Sequence, residues 1–343
     1  MTVKKTLLSV VITNTLLISA GASAADDRTM SPSDIFFYDA LKFGGHVGTS
    51  IEVEEKNITD FASWGGGKSK ERTTTHEVFN VFYNNAAWNA TALYAFKLEN
   101  RKKKKGDYAE TENGYKHLLS LNKSFQLGNG WGTGLIYELE YTKGDLVTSA
   151  KVDGLKTTKA EHSIRPYLTY WNNEYSAGFY SNLEYLYNDS DKSAWGSREE
   201  EGYSLLFKPY KRFGQWEVAA ELYYQVKENK AKTANGSLNE ASDFTEMYIE
   251  PIVQYSFEEA GTMYVRARIG ENETKHTDGW AKNETFFKDI RKATLGYEQA
   301  IGDDWLVKGE LEWAKDTETF SKLKGEEKTV EQETMYLQAL YRF

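Results

Sequence analysis

Residues 216–226 read WEVAAELYYQV. Trp216, Val218, Ala220, Leu222, Tyr224 and Val226 alternate with Glu217, Ala219, Glu221, Tyr223 and Gln225, a period of two that suits a β-strand and not a helix. The run lasts about ten residues, the length at which a tilted strand crosses a bilayer. Trp131, Thr133, Leu135, Tyr137, Leu139 and Tyr141 repeat the pattern against Gly132, Gly134, Ile136, Glu138, Glu140 and Thr142. The runs Trp88–Leu98 and Trp305–Trp313 do the same. Each opens with a tryptophan just after a tight polar turn.

Working outward, Tyr175 and Tyr264 extend this aromatic-after-turn series to six, spaced 43, 44, 41, 48 and 41 residues apart from Trp88 to Trp305. A propeller blade has a similar period. Here each unit instead holds two long alternating runs and one long polar segment. Fourteen candidate strands result, near 43–56, 75–84, 87–99, 113–127, 131–143, 159–171, 175–187, 201–211, 215–228, 244–257, 262–271, 285–301, 305–315 and 330–343, the eighth and twelfth with the weakest pattern. Short turns of about two to four residues follow even strands, and polar connections of about ten to eighteen follow odd ones. An even count, unequal connections and aromatics beside the short turns predict an all-β fold, a 14-stranded antiparallel transmembrane β-barrel. Lipid cannot satisfy an open sheet edge, so the strands must close on themselves.

Alternation alone does not separate this from a soluble barrel, whose apolar face points inward. Charge does: Lys97, Glu138, Glu140, Glu184, Lys208, Glu217, Glu221, Glu246, Glu250, Arg266, Arg268, Lys308, Glu310 and Glu312 share one face, and the other face is almost free of charge.

The 343 residues include 49 aromatics, 4 Pro and no Cys, which excludes a disordered chain, a disulfide framework and a cysteine metal site. With 42 Lys+Arg against 51 Asp+Glu, the surface lacks the positive excess that nucleic acid requires. Lys4, Lys5, the apolar run Thr6–Ala20 and the small-residue box Ala22-Ser23-Ala24 read as a signal peptide, residues 1–24. Its removal takes two lysines and no acid, so the formal charge moves from −9 to −11. The remainder divides into an N-terminal segment, 25–42, and the barrel, 43–343.

The chain ends Met335-Tyr336-Leu337-Gln338-Ala339-Leu340-Tyr341-Arg342-Phe343. A terminal Phe after alternating apolar residues resembles the last strand of bacterial outer-membrane barrels. The resemblance implies the outer membrane of a Gram-negative bacterium, with lipid and lipopolysaccharide around the barrel and the assembly machinery reading the Phe343 strand. Fourteen strands should leave a lumen that passes a solute. The candidate lining is Tyr167, Trp171, Tyr180, Glu184, Tyr210, Glu221, Tyr223, Tyr248, Glu250, Tyr264, Arg266, Arg268, Glu310 and Tyr336. Aromatic faces can stack on sugar C–H faces while charged groups exchange hydrogen bonds with hydroxyls. The same charges could equally do no more than solvate and stiffen the wall. Acidic residues are at least as frequent as basic ones on this face, which favours a neutral solute.

In the N-terminal segment, Ser31 as N-cap, Pro32 at the first helical position and Asp34 in the first turn predict a short helix start ahead of Phe36, Phe37 and Tyr38. The segment either folds into the lumen and constricts it or rests its aromatics on the inner interface. Strand number, mature length and this extension together resemble the monomeric cyclodextrin-specific outer-membrane channels (CymA type). That resemblance implies passive diffusion of a bulky neutral oligosaccharide past an N-terminal constriction, through a monomer without cofactor or metal. General and oligogalacturonate-type diffusion porins are the neighbouring alternative.

Outer-membrane hydrolases are also barrels. Yet His46, His76, His117, His162 and His276 sit in no Ser, Asn or Asp setting resembling their motifs, so no catalytic residue is expected. An adhesin using the outer loops is the remaining class. Arg101-Lys102-Lys103-Lys104-Lys105 could pair with lipopolysaccharide or simply be solvated, and Trp64-Gly65-Gly66-Gly67 reads as flexible.

Overall fold

The structure, a computed structural model, describes residues 44–148, 155–192, 196–257, 261–302 and 304–343. The signal-peptide reading and the segment holding Ser31, Pro32, Asp34, Phe36, Phe37 and Tyr38 fall outside the described residues. The fourteen strands are β1 (Gly45–Thr59), β2 (Lys68–Asn85), β3 (Ala90–Lys105), β4 (Tyr108–Gly128), β5 (Trp131–Thr148), β6 (Leu155–Asn172), β7 (Ala177–Lys192), β8 (Gly196–Phe213), β9 (Trp216–Lys232), β10 (Leu238–Phe257), β11 (Gly261–Asp278), β12 (Thr285–Ile301), β13 (Trp305–Phe320) and β14 (Glu327–Arg342). Each pairs antiparallel with its sequence neighbour, and β1 pairs with β14 to close the barrel. Phe343 N–H donates to Gly45 O at 3.2 Å, tying the two chain-end strands together.

The strands are longer, and the odd connections shorter, than the sequence predicts. The connections at 60–67, 106–107, 233–237, 279–284 and 321–326 replace the expected ten to eighteen residues. The polar segments extend the ladder because their side chains pair across it: Lys116 with Glu99 at 2.9 Å, Lys328 with Glu318 at 2.8 Å, Arg101 with Glu110 at 2.8 Å. Stepping between directly opposed residues from Gly45 through Tyr83, Ala92 and Leu121 to Thr319 and Glu327 returns about 16 residues further along β1. Fourteen strands with that stagger tilt by about 40° around a backbone cylinder roughly 26 Å across.

Outward positions over about the first ten residues from the turn end are apolar and exposed, among them Val81, Leu98, Leu135, Leu222, Val265 and Leu337. Beyond about ten residues they become charged, as at Glu55, Lys102, Glu228, Glu271 and Lys315. That apolar band, about 25 Å tall, matches a membrane, so the barrel's loop end projects past it. Trp88, Trp131, Tyr175, Trp216 and Trp305 ring the turn end, exposed. Tyr264 departs from this series and turns inward, leaving Met263 on the lipid face. A second ring lies near the loop side of the band, where His117 and His162 meet the hydroxyls of Tyr94 (2.7 Å) and Tyr137 (3.0 Å).

Strand β2 breaks the simple period. A bulge between Glu77 and Phe79 puts Val78 and Phe79 both outward while Glu77 and Asn80 stay buried, so one extra residue resets the phase. The first loop also departs from its reading as flexible. Ala62–Trp64 form a 3₁₀ turn closed by Gly65 at φ 91°, and Trp64 packs on Phe61 (4.9 Å) and Phe320 (5.6 Å).

Candidate pore lining

Every candidate lining residue lies on the inward register of its strand, alternating with exposed apolar neighbours. The register brings them together within the height of the membrane band, on two unlike walls.

On β10–β13 the wall is an ion-pair ladder. Arg268 Nε donates to Glu250 at 2.7 Å, and Arg266 reaches Glu310 at 3.1 Å and Glu250 at 3.9 Å. Lys308 holds Glu310 at 3.0 Å, Lys292 holds Glu312 at 2.6 Å and Lys288 holds Asp316 at 2.6 Å. Lys308 shares strand β13 with Glu310, and each other cation stands on a strand next to, or one beyond, its carboxylate, so the charges pair along the wall rather than across the lumen. The Arg268 guanidinium lies 3.8 Å over the Tyr248 ring, which stacks on Tyr223 at 4.8 Å. Tyr264 donates its hydroxyl to Glu310.

On β3–β8 the inner wall carries an apolar cluster: Ala95, Leu118, Ile136, Tyr167 and Tyr180, with Leu93 and Leu206 packed against it. Of these, Tyr167 and Tyr180 belong to the expected lining, and the aliphatic members join them from inward positions that were not singled out. Tyr167 stacks on Tyr180 at 5.9 Å and Trp171 on Tyr210 at 5.5 Å. A charged triad interrupts the cluster: Arg165, held by Glu138 at 2.7 Å and Glu184 at 3.9 Å. Lys208 with Glu221 (3.3 Å) marks the boundary between the walls. Tyr336, on β14, projects inward opposite Glu310 and Glu52.

Sequence reasoning missed how the rings are seated. Tyr167 faces Gly134 across the sheet and Tyr264 faces Gly296. A Cβ at Gly134 would sit 2.4 Å from the Tyr167 ring, and one at Gly296 would sit 2.0 Å from Tyr264. Tyr248 likewise faces Gly270. The Tyr167 and Tyr264 rings therefore lean across the bare backbone of their neighbours, against the wall. The signal was present as glycines at inward positions of otherwise strong strands.

A closed fourteen-stranded barrel with an apolar outer band, aromatic rings and a charged lining is an outer-membrane channel. The chain belongs to the CymA family: that family's model, described as "Putative cyclodextrin porin", matches residues 3–343. Among solved structures, the chain is similar to the Pseudomonas putida toluene transporter TodX, at 10% identity over 91% of this chain and 92% of that one, TM-score 0.53. It is also similar to a TodX monoaromatic hydrocarbon channel deltaS2 mutant, at 11% identity over 88% and 90%, TM-score 0.54. At such identities the likeness concerns the fold. Comparison with curated protein sequences gives no match.

Proposed function

We propose that the channel passes a bulky neutral oligosaccharide by diffusion, a cyclodextrin first among candidates, and that residues 25–42 constrict its turn end. The observation that carries the solute class is the composition of the lining: aromatic rings on both walls, with an internally neutralised ladder on one of them. A ring leaning on the wall turns a face to the solute, as sugar C–H groups require. Beside the rings, the carboxylate, ammonium and guanidinium groups of the ladder are acceptors and donors of the kind that sugar hydroxyls use. An oligogalacturonate would favour cations free of carboxylates, and here Arg266, Arg268, Lys292 and Lys308 are all paired. TodX is described as a monoaromatic hydrocarbon channel. Such a solute gains nothing from a wall of paired charges, so the sugar reading fits this lining better.

Planar-bilayer currents test the proposal, using the mature chain and a version lacking residues 25–40, with α-cyclodextrin and linear maltodextrins. The expected result is higher or quieter conductance on truncation and a block by cyclodextrin at low concentration. Equal conductance would remove the constriction, and currents indifferent to every sugar would remove the solute class, leaving a general porin.

A further inference from the structure

The basic run at residues 101–105 is divided by the strand's own alternation. Arg101, Lys103 and Lys105 turn inward and meet carboxylates. Arg101 lies 2.8 Å from Glu110 and 3.0 Å from Glu112, Lys105 lies 2.6 Å from Asp60, and Lys103 stands opposite both Glu71 and Glu110. Lys102 and Lys104 are exposed on the outer face, and the register sets Lys102 opposite Arg72 and Lys104 opposite Lys70.

Like charges directly opposed across a sheet repel, and here two such pairs are stacked one above the other. Their flanking outward partners are Asn57 on β1 and Thr111 and Ala109 on β4. The acid that reaches the patch is Glu55, at 3.6 Å from Arg72, with both side chains more than half exposed. Across the barrel, β11 carries exposed Glu271 and Glu273, and on the near side Glu331 and Glu333 of β14, opposite Asn57 and Glu55 of β1, bound the patch, so the basic character belongs to one sector, β2–β3. Height is the second observation. Leu98, the last apolar outward residue of β3, stands four positions before Lys102. At the strand tilt this puts the first pair about 10 Å, and the second about 15 Å, past the apolar band. That is headgroup depth, where clustered basic side chains meet anionic lipid.

We propose that Lys70, Arg72, Lys102 and Lys104 form a binding site for the phosphate groups of lipopolysaccharide in the outer leaflet. The phosphates supply the counter-charge that the sheet lacks, and the acyl chains lie along the apolar band directly below. The site is separate from the lumen and does not depend on which solute the channel passes.

The test is lipopolysaccharide retained per full-length barrel in lipid nanodiscs, measured for the wild type, for K70Q/R72Q/K102Q/K104Q, and for a control neutralising the distant lysines Lys230, Lys232, Lys275 and Lys315. The site predicts at least about a tenfold loss in the first variant and wild-type retention in the control. Lipopolysaccharide stripped of phosphate should bind the wild type no better than the variant, and excess inorganic phosphate should not displace the intact lipid. In detergent without lipopolysaccharide the variant should unfold no earlier than wild type, because the change removes repulsion. The double variant K102Q/K104Q, which keeps half the patch, should show intermediate loss. Equal retention by both folded variants, equal loss in the control, or displacement by free phosphate would each overturn the proposal.

Discussion

The inner surfaces of β3–β8 and β10–β13 obey the same alternation and sit at the same height in one barrel, yet they are stabilised by opposite means. The first is a small core of Ala95, Leu118, Ile136, Tyr167 and Tyr180 turned toward the lumen. The second buries Glu250, Arg266, Arg268, Glu310 and Glu312, each less than a tenth exposed, and works only because every charge has a partner on the same wall. Being inward in a membrane barrel therefore does not dictate polarity. It dictates that a side chain be either apolar and packed or charged and paired.

The largest expected effect breaks the pairing. Glu250→Ala leaves Arg266 and Arg268 facing one another without their shared carboxylate, and should cost about 3–5 kcal/mol in detergent unfolding. Leu118→Ala on the other wall should cost about 2–4 kcal/mol, a cavity rather than a stranded charge. If Glu250→Ala proved the milder of the two, the charged wall would be shared with water and the contrast would fail.

Overpacking is the next lever. Gly134→Val and Gly296→Val should each lift a tyrosine off the wall, costing about 1–3 kcal/mol and lowering single-channel conductance. The Gly296 change should also part Tyr264 from Glu310, so it should be the more damaging. Unchanged conductance in both would mean that the rings do not depend on the cross-strand glycines. A smaller effect separates solute contact from stability: Tyr248→Leu keeps an apolar side chain but loses the ring under Arg268. Cyclodextrin block should weaken roughly three- to tenfold, with little change in unfolding.

Much of this was legible in residues 216–226 and their repeats, because lipid on one side and water on the other enforce a strict period of two. Strand count, closure and the inward set followed from that constraint. The β2 bulge was not legible, since one inserted residue at Val78 looks like noise in a short pattern. Nor was the length of the strands past the membrane. There neither face is lipid, both faces carry charge, and only cross-strand partners such as Lys116 and Glu99 reveal that the ladder continues. The apolar cluster escaped for a related reason. Ile136 and Glu138 share a face, and which side chains surround each depends on the register and stagger of the strands on either side.

The loops above the charged wall offer the finest test of how firmly that side is held. Phe61, Ala281 and Phe320 form a buried cluster joining the loops at 60–67, 279–284 and 321–326, and Glu326 locks it by accepting hydrogen bonds from Ser63, its backbone N–H at 2.8 Å and its hydroxyl. Those bonds favour the carboxylate and hold its pKa below the ordinary range. Because the folded value is the lower one, the contribution is complete above the ordinary carboxylate pKa and is lost as pH falls through the lowered value. Acrylamide quenching should find Trp64 more accessible only at that acid extreme, with Trp64→Phe as the reference for the other tryptophans. Glu326→Gln should raise accessibility at neutral pH and remove the acid transition. A transition surviving in Glu326→Gln would assign it to another group and leave the aromatic packing as what holds these loops.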